Sequence, residues 1–377
     1  MKLSILPSLL TTTLATCTTD DHCSLNGLCN PKTSTCTCDP GWTGTNCGTL
    51  DLRHATRGTG YNHTTTNASD PYTSGRGNSS WGAHILQDRR DPKLFHLITS
   101  QFAHGCGLSA WKPFSTVIRG ESQTGPQGPY EWKQEILGPW HHNPATVWSE
   151  KDGLWLLYTI GDPVTPPTSC KSQSLSNNIS VVASPDLKTW TVPKRVLSGA
   201  TNPAPWPVWS RENDTSEIVL GIEDATIYKA GAWDAEYTLV KTQSWNTSDY
   251  SPTWTEDPFL WQDKRGNWHL LVHWMIDISE NGVKYPRVGA HLFSREVDGN
   301  WTFVEHEAFN TSVEFTDGSR TDYYRRERPK LFFSGDGEVT PLYLVSGVQE
   351  FNASGASYTL VQPVGDGAEV YERGLGF

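Results

Sequence analysis

Asn143-Pro-Ala-Thr-Val-Trp-Ser-Glu-Lys-Asp-Gly-Leu-Trp-Leu-Leu-Tyr158 reads as one strand, a polar turn and a second strand. Val147, Trp148 and the run from Leu154 to Tyr158 suit a pleated, half-buried surface. Ser-Glu-Lys-Asp-Gly between them is turn chemistry. Pro144 brings no backbone donor and so belongs at a strand's start. The same order returns along the chain. First strands open at Trp81-Gly-Ala-His-Ile-Leu, Asn143-Pro, Asn202-Pro-Ala-Pro-Trp-Pro-Val-Trp, Asp257-Pro-Phe-Leu-Trp and Arg328-Pro-Lys-Leu-Phe-Phe. Second strands follow at Leu94, Leu154, Glu217, Trp268 and Pro341. Third strands come later, at Ile179, Tyr237, Val288 and Tyr358, and several units close near a Trp, as at Trp190, Trp254 and Trp301.

The starts near 81, 144, 203, 258 and 329 recur about every 60 residues, a repeat of the propeller kind. Five units of short strands closed around an axis predict an all-β, five-bladed β-propeller, which leaves only short, protected edges. A β-sandwich is the competing arrangement. Helical periodicity is almost absent. The composition agrees: of 377 residues, 17 are Trp, 33 Gly and 24 Pro, and only 19% are charged. That mixture fits neither a disordered chain nor a helical bundle. A net charge of −11 argues against a nucleic-acid partner. No apolar run is long enough to span a membrane. A monomer is expected.

Asp257-Pro-Phe-Leu-Trp, Ser184-Pro-Asp-Leu-Lys-Thr-Trp190 and the stretch quoted first resemble the five-bladed propeller glycosidases, glycoside hydrolase families 43, 32, 62 and relatives. The resemblance covers roughly residues 78–365. It implies a propeller whose axial pocket cleaves glycosidic bonds with acidic residues at the starts of the first and second blades. Here those positions read Trp81 and Asn143, a departure from the pattern.

The ends carry different signals. Residues 1–15 read as a secretory signal peptide, with Lys2, a Leu/Ile-rich run, and small residues Thr13 and Ala15 at a cleavage site. Nine Asn-x-Ser/Thr sequons, at Asn62, Asn67, Asn78, Asn178, Asn213, Asn246, Asn300, Asn310 and Asn352, fit a secreted, extracellular glycoprotein. Six of eight cysteines crowd into residues 17–47, a piece too small to fold on a core of its own. Spacing alone leaves 15 connectivities. The spacing, with Gly41-Trp42-Thr43-Gly44 between the last two cysteines, resembles an EGF-like module over residues 16–48. That resemblance implies the pairs Cys17–Cys29, Cys23–Cys36 and Cys38–Cys47, with no calcium assigned. The module reads either as a docking element or as a stabilised cap on the next domain. Cys106 and Cys170 are expected to pair, bridging neighbouring repeats. Residues 49–77 read as a linker or lead-in strand, and 78–377 as the catalytic propeller.

In a propeller the starts of the innermost strands line one axial pocket, which gathers side chains from every blade. Glycoside hydrolysis needs a carboxylic acid and a second carboxylate. The candidates are Glu256, Asp257 and Glu223, with His142 as a partner acid or base. Trp81, His84, His141, Asn143, Asn202, Trp206 and His273 are expected to contact substrate. Arg326 and Arg328, in the densest basic stretch of an acidic chain, would grip an anionic sugar. No cofactor or metal is required, and a structural ion in the central channel is left open. The leading expectation is a secreted glycoside hydrolase acting on plant or microbial polysaccharide. One alternative is a polysaccharide lyase using His, Tyr and Arg beside a uronate, and another is a glycan-binding or adhesion protein without catalysis.

Overall fold

A computed structural model describes residues 17–62, 79–247, 251–276, 288–351 and 356–377, and the backbone of 279–280 and 283–284. The signal-peptide reading, most of the linker and the sequons Asn67, Asn78 and Asn352 lie outside these residues. The N-terminal module holds β1 (Gly27–Asn30), β2 (Thr35–Cys38), β3 (Trp42–Thr43) and β4 (Thr49–Leu50).

Five antiparallel sheets follow. Blade one is β5 (Ser80–Gln87), β6 (Phe95–Phe102), β7 (Ser115–Ser122) and β8 (Glu131–Leu137). Blade two is β9 (His142–Ser149), β10 (Leu154–Ile160), β11 (Asn178–Ser184) and β12 (Lys194–Ser198). Blade three is β13 (Ala204–Ser210), β14 (Thr215–Gly221), β15 (Ile227–Ala230) and β16 (Thr238–Lys241). Blade four is β17 (Thr255–Gln262), β18 (Trp268–Trp274), β21 (Val288–Ser294) and β22 (Thr302–Phe309), with the small hairpin β19 (Ser279–Glu280) and β20 (Val283–Lys284) between its second and third strands. After another hairpin, β23 (Ser312–Glu314) and β24 (Arg320–Asp322), blade five is β25 (Arg325–Phe333), β26 (Pro341–Gln349) and β27 (Tyr358–Pro363). The chain ends in a helix, Gly367–Leu375. The first strand of each blade neighbours that of the next, and β5 meets β25, so the circle closes. This is the five-bladed all-β propeller that the repeat predicts.

Closure is made by the segment before blade one. Leu52 and Tyr61 bridge to Val364 and Thr359 at the outer edge of blade five. The amide of Arg53 donates to Pro363 O, and Tyr61 and Thr359 exchange both backbone bonds. Residues 49–62 thus cover an edge that a three-stranded blade would leave open. The core lies between blades. Val219, Leu260 and Leu270 pack in one cluster and Leu156, Ile179 and Leu220 in another, all 1% exposed or less. Each such side chain stabilises the fold by about 1.5–3 kcal/mol.

The disulfides are Cys17–Cys29, Cys23–Cys36 and Cys38–Cys47, the pairing implied by the resemblance, and Cys106–Cys170, which ties the loop after β6 of blade one to the loop after β10 of blade two. The module is bound to the propeller along blade four. Trp42 stacks on Trp261 (ring centroids 6.4 Å) and lies 5.0 Å from the His291 ring. Arg265 pairs with Asp39 and donates to the carbonyl of Leu25. Of the sequons described, Asn62, Asn213, Asn246, Asn300 and Asn310 are exposed. Asn178 is not: it starts β11, is buried, and its amide donates to Asp162 Oδ2 at 2.6 Å, so it is no place for a glycan.

Candidate active site

Each blade's first strand begins with one residue in the left-handed region: Gly82 (φ 65°), Asn143 (52°), Asn202 (55°), Asp257 (53°) and Arg328 (57°). The ladder skips at four of these positions. Trp81 and Ala83 pair with β6 but Gly82 does not; pairing jumps from His142 to Ala145, from Glu256 to Phe259 and from Glu327 to Lys330. Gly, Asn and Asp tolerate this conformation, whereas a left-handed Arg is strained, the kind of outlier found at functional sites.

The five residues form a ring around the axis. Asn143 Nδ2 donates to Asn202 Oδ1 at 2.7 Å and to Asp257 Oδ1 at 3.2 Å. Arg328 Nη1 lies 3.6 Å from the same Asp257 oxygen. The stem of Arg328 passes so close to Gly82 that a Cβ there would meet Arg328 Cβ at 2.7 Å. Arg328 Nε and Nη1 are buried and make no hydrogen bond among the described residues.

A bulge also lets two successive side chains turn toward the axis, against ordinary alternation. Glu256 precedes Asp257, and Glu327 precedes Arg328. Burial first, then the charges of Asp257, Glu223 and Glu327, push the Glu256 carboxyl up to about 8, with Arg328 opposing. Carboxylates from blades three, four and five therefore share one site, and Glu256 holds a proton at neutral pH. Glu327 is 6% exposed and paired with Arg325 Nη1 at 3.2 Å. Glu223 follows β14, and its amide bonds to Thr201 O at 3.1 Å, which fixes it beside Asn202. His273, at the end of β18, is fully buried between Asp257 Oδ2 (3.9 Å) and Glu327 Oε1 (4.0 Å). Glu256, Asp257 and His273 each offer a metal-ligand atom within 4.8 Å of the others. Farther along the channel the protein supplies a cation of its own. Lys330 is 3% exposed, with its pKa lowered to about 8 by burial despite Asp257.

The structure thus gathers Glu256, Asp257, Glu223, Asn143, Asn202, His273 and Arg328. Other expectations are corrected. Trp81 is 1% exposed and packs with Phe102 and Phe114, so it offers no face to a sugar. Arg326 is fully buried inside blade five: its guanidinium bonds Asn310 O (3.0 Å), Gln362 Oε1 (2.8 Å) and Ser346 Oγ (3.2 Å). The bulge after Glu327 separates it from Arg328, which alternation alone would place on the same face. His142 is fully buried among Trp111, Trp140 and Phe102, bonded to Ser115 Oγ, and burial holds its pKa well below the usual imidazole range. It is a packed ring held away from the carboxylates' blades, among aromatic neighbours. His141 is 2% exposed, with Nδ1 on Gly138 O at 2.7 Å. His84 and Trp206 lie farther along their strands and line the opposite mouth of the channel. Glu327 joins the site in addition to the carboxylates expected from the sequence. Its signal was the match of Glu327-Arg-Pro to Glu256-Asp-Pro.

The five-bladed propeller is a fold shared with solved glycoside hydrolases. The chain is similar in structure to the catalytic domain of a GH62 α-L-arabinofuranosidase of Coprinopsis cinerea (TM-score 0.54, 11% identity, 83% of this chain and 98% of that one). It is similar to an α-L-arabinofuranosidase of Podospora anserina solved with cellotriose (0.51, 12%, 84% and 99%). It is also similar to a family 117 glycoside hydrolase of Zobellia galactanivorans (0.51, 9%, 84% and 90%). At such identities the likeness is one of fold. No family model and no curated protein matches the chain.

Proposed function

We propose that the protein is a glycoside hydrolase acting on a plant or microbial polysaccharide, with Glu256 as general acid. The observation that carries this reading is the convergence of Glu256, Asp257, Glu223 and Glu327 on one buried axial pocket, where burial and the neighbouring charges push the Glu256 carboxyl up to about 8. Glu256 donates its proton to the leaving oxygen as the glycosidic bond breaks, and water supplies the hydroxyl that the anomeric carbon takes in its place. Glu327, on the next blade and paired with Arg325, is the second carboxylate that glycoside hydrolysis requires. Asp257 is a positioning residue: its charge keeps the proton on Glu256, and its bonds hold the ring together. Glu223 adds to the same field. Arg328, with donors left over, faces the substrate's polar groups and suits an anionic one. Four disulfides and the exposed sequons support secretion into an oxidising compartment.

The eliminating alternative loses two of its parts. Arg326 is committed to the blade, and Tyr323 is fully buried against Tyr358. The test is product analysis over neutral and uronate-containing plant and microbial polysaccharides. New reducing ends without near-ultraviolet absorbance are expected. An unsaturated uronate, or no product from any polymer, would overturn the reading.

A further inference from the structure

The carboxylate ring occupies the end of the channel where the first strands begin. Their other ends line a separate cavity of about 670 Å³, open between blades one, two, three and five. Its walls are aromatic: Trp148, Trp155, Trp206 and Phe333, with His84 at the channel side. We propose that this cavity is a second carbohydrate site, which holds a neutral pyranose chain on the face opposite the carboxylates. The proposal does not depend on the catalytic reading.

Three observations carry it. The volume is that of a small-ligand site, and a wall of ring faces with a few polar groups is the usual lining of such a site. A smaller hollow of about 190 Å³ adjoins the cavity, shares Trp148 and Pro207 as walls and reaches Trp209. Finally, the charged residues lining the two hollows balance, Arg89, Lys151 and Arg211 against Asp88, Glu150, Asp152 and Glu217. Arg89, lying over the Trp148 ring at 4.1 Å, meets Glu150 at 3.4 Å, and Lys151 pairs with Asp214. This leaves no excess positive charge for a polyanion, which selects an uncharged glycan. The disulfide module leaves this surface clear. It packs on blade four, where Trp42 meets Trp261, and Trp261 in turn lies 5.8 Å from Phe333 in the cavity wall.

The test uses the full chain carrying Glu256→Gln, so that binding is read without turnover. Depletion onto insoluble xylan and cellulose, and titration with xylohexaose and cellohexaose followed by tryptophan fluorescence, measure affinity. Adding Trp206→Ala should weaken binding at least tenfold. Gly335→Arg is the second variant. Gly335 lines the cavity and has no atom within 4 Å of a built Cβ, so the new side chain blocks the cavity without displacing packed groups. It should also weaken binding at least tenfold while the melting temperature stays at the parent's value. On the otherwise wild-type chain, Gly335→Arg should leave turnover of a small aryl glycoside unchanged. Parent-level binding by Gly335→Arg, or no binding of the parent to any of these glycans, would overturn the proposal.

Discussion

The five blade starts share one backbone device and divide into two chemical halves. In blades one and two the left-handed residue is Gly82 or Asn143, and the residue before it, Trp81 or His142, is packed into an apolar blade end. In blades four and five it is Asp257 or Arg328, and the residue before it is a glutamate facing the axis. Blade three lies between, with Asn202 in the ring and Glu223 entering from the second strand. The same bulge therefore serves packing on one side and charge on the other. Which it does is decided by two adjacent side chains.

The largest effect should come from the charged half. Glu256→Gln keeps the shape and removes the proton donor, so kcat on a polysaccharide should fall about 10³–10⁴-fold. Near-parental turnover would remove Glu256 from the mechanism. Moving a carboxylate into the neutral half blurs the division. Asn143→Asp loses the amide bonds to Asn202 and Asp257 and sets two negative charges together. A fall in kcat of about 10²-fold is expected from the displaced ring, and an unchanged kcat would show that the ring does not position Glu256.

Arg326→Ala separates the buried arginine from its exposed-looking neighbours in sequence. It strands Gln362, Asn310 and Ser346, so unfolding should become easier by about 3 kcal/mol. A change confined to KM, with stability intact, would instead return Arg326 to substrate binding. The smallest effect is His142→Phe. A phenyl ring keeps the contacts with Trp111 and Trp140, so kcat should stay within about threefold, with about 1 kcal/mol of stability lost for the Ser115 bond. A loss of activity as large as that of Glu256→Gln would make His142 catalytic after all.

Much of this architecture was readable in advance because Asn-Pro, Asp-Pro and Arg-Pro starts mark the strands that build the axis. Glu256, Asp257, Asn143 and Arg328 followed from that placement. Arg326 and Trp81 were misplaced for one reason: alternation decides which face a side chain takes, and a bulge shifts it by one residue. Glu327 stands in the same place on blade five as Glu256 on blade four, one residue before the left-handed position. Its equivalence to Glu256 becomes plain only once Asp257 and Arg328 are seen in the same conformation. His84 and Trp206 were assigned to the correct channel but the wrong end, since a motif gives the start of a strand and not how far along it a side chain sits.

The central claim is that Glu256 is the protonated acid, and its pH dependence has a definite sign. The fold raises this carboxyl from 4.5 to about 8. Its stabilisation is therefore complete below pH 4.5 and is lost as pH rises through about 8. Activity that needs the proton falls as pH rises above about 8. The most direct measurement compares kcat/KM against pH for the wild type and Glu256→Gln, on an unactivated glycoside and on its dinitrophenyl counterpart, whose leaving group needs no proton. The account predicts an alkaline limb near pH 8 in the wild type on the unactivated substrate. In Glu256→Gln that limb should disappear and turnover collapse, while dinitrophenyl glycoside turnover is largely retained. An equal loss on both substrates, or an alkaline limb that survives in Glu256→Gln, would contradict it.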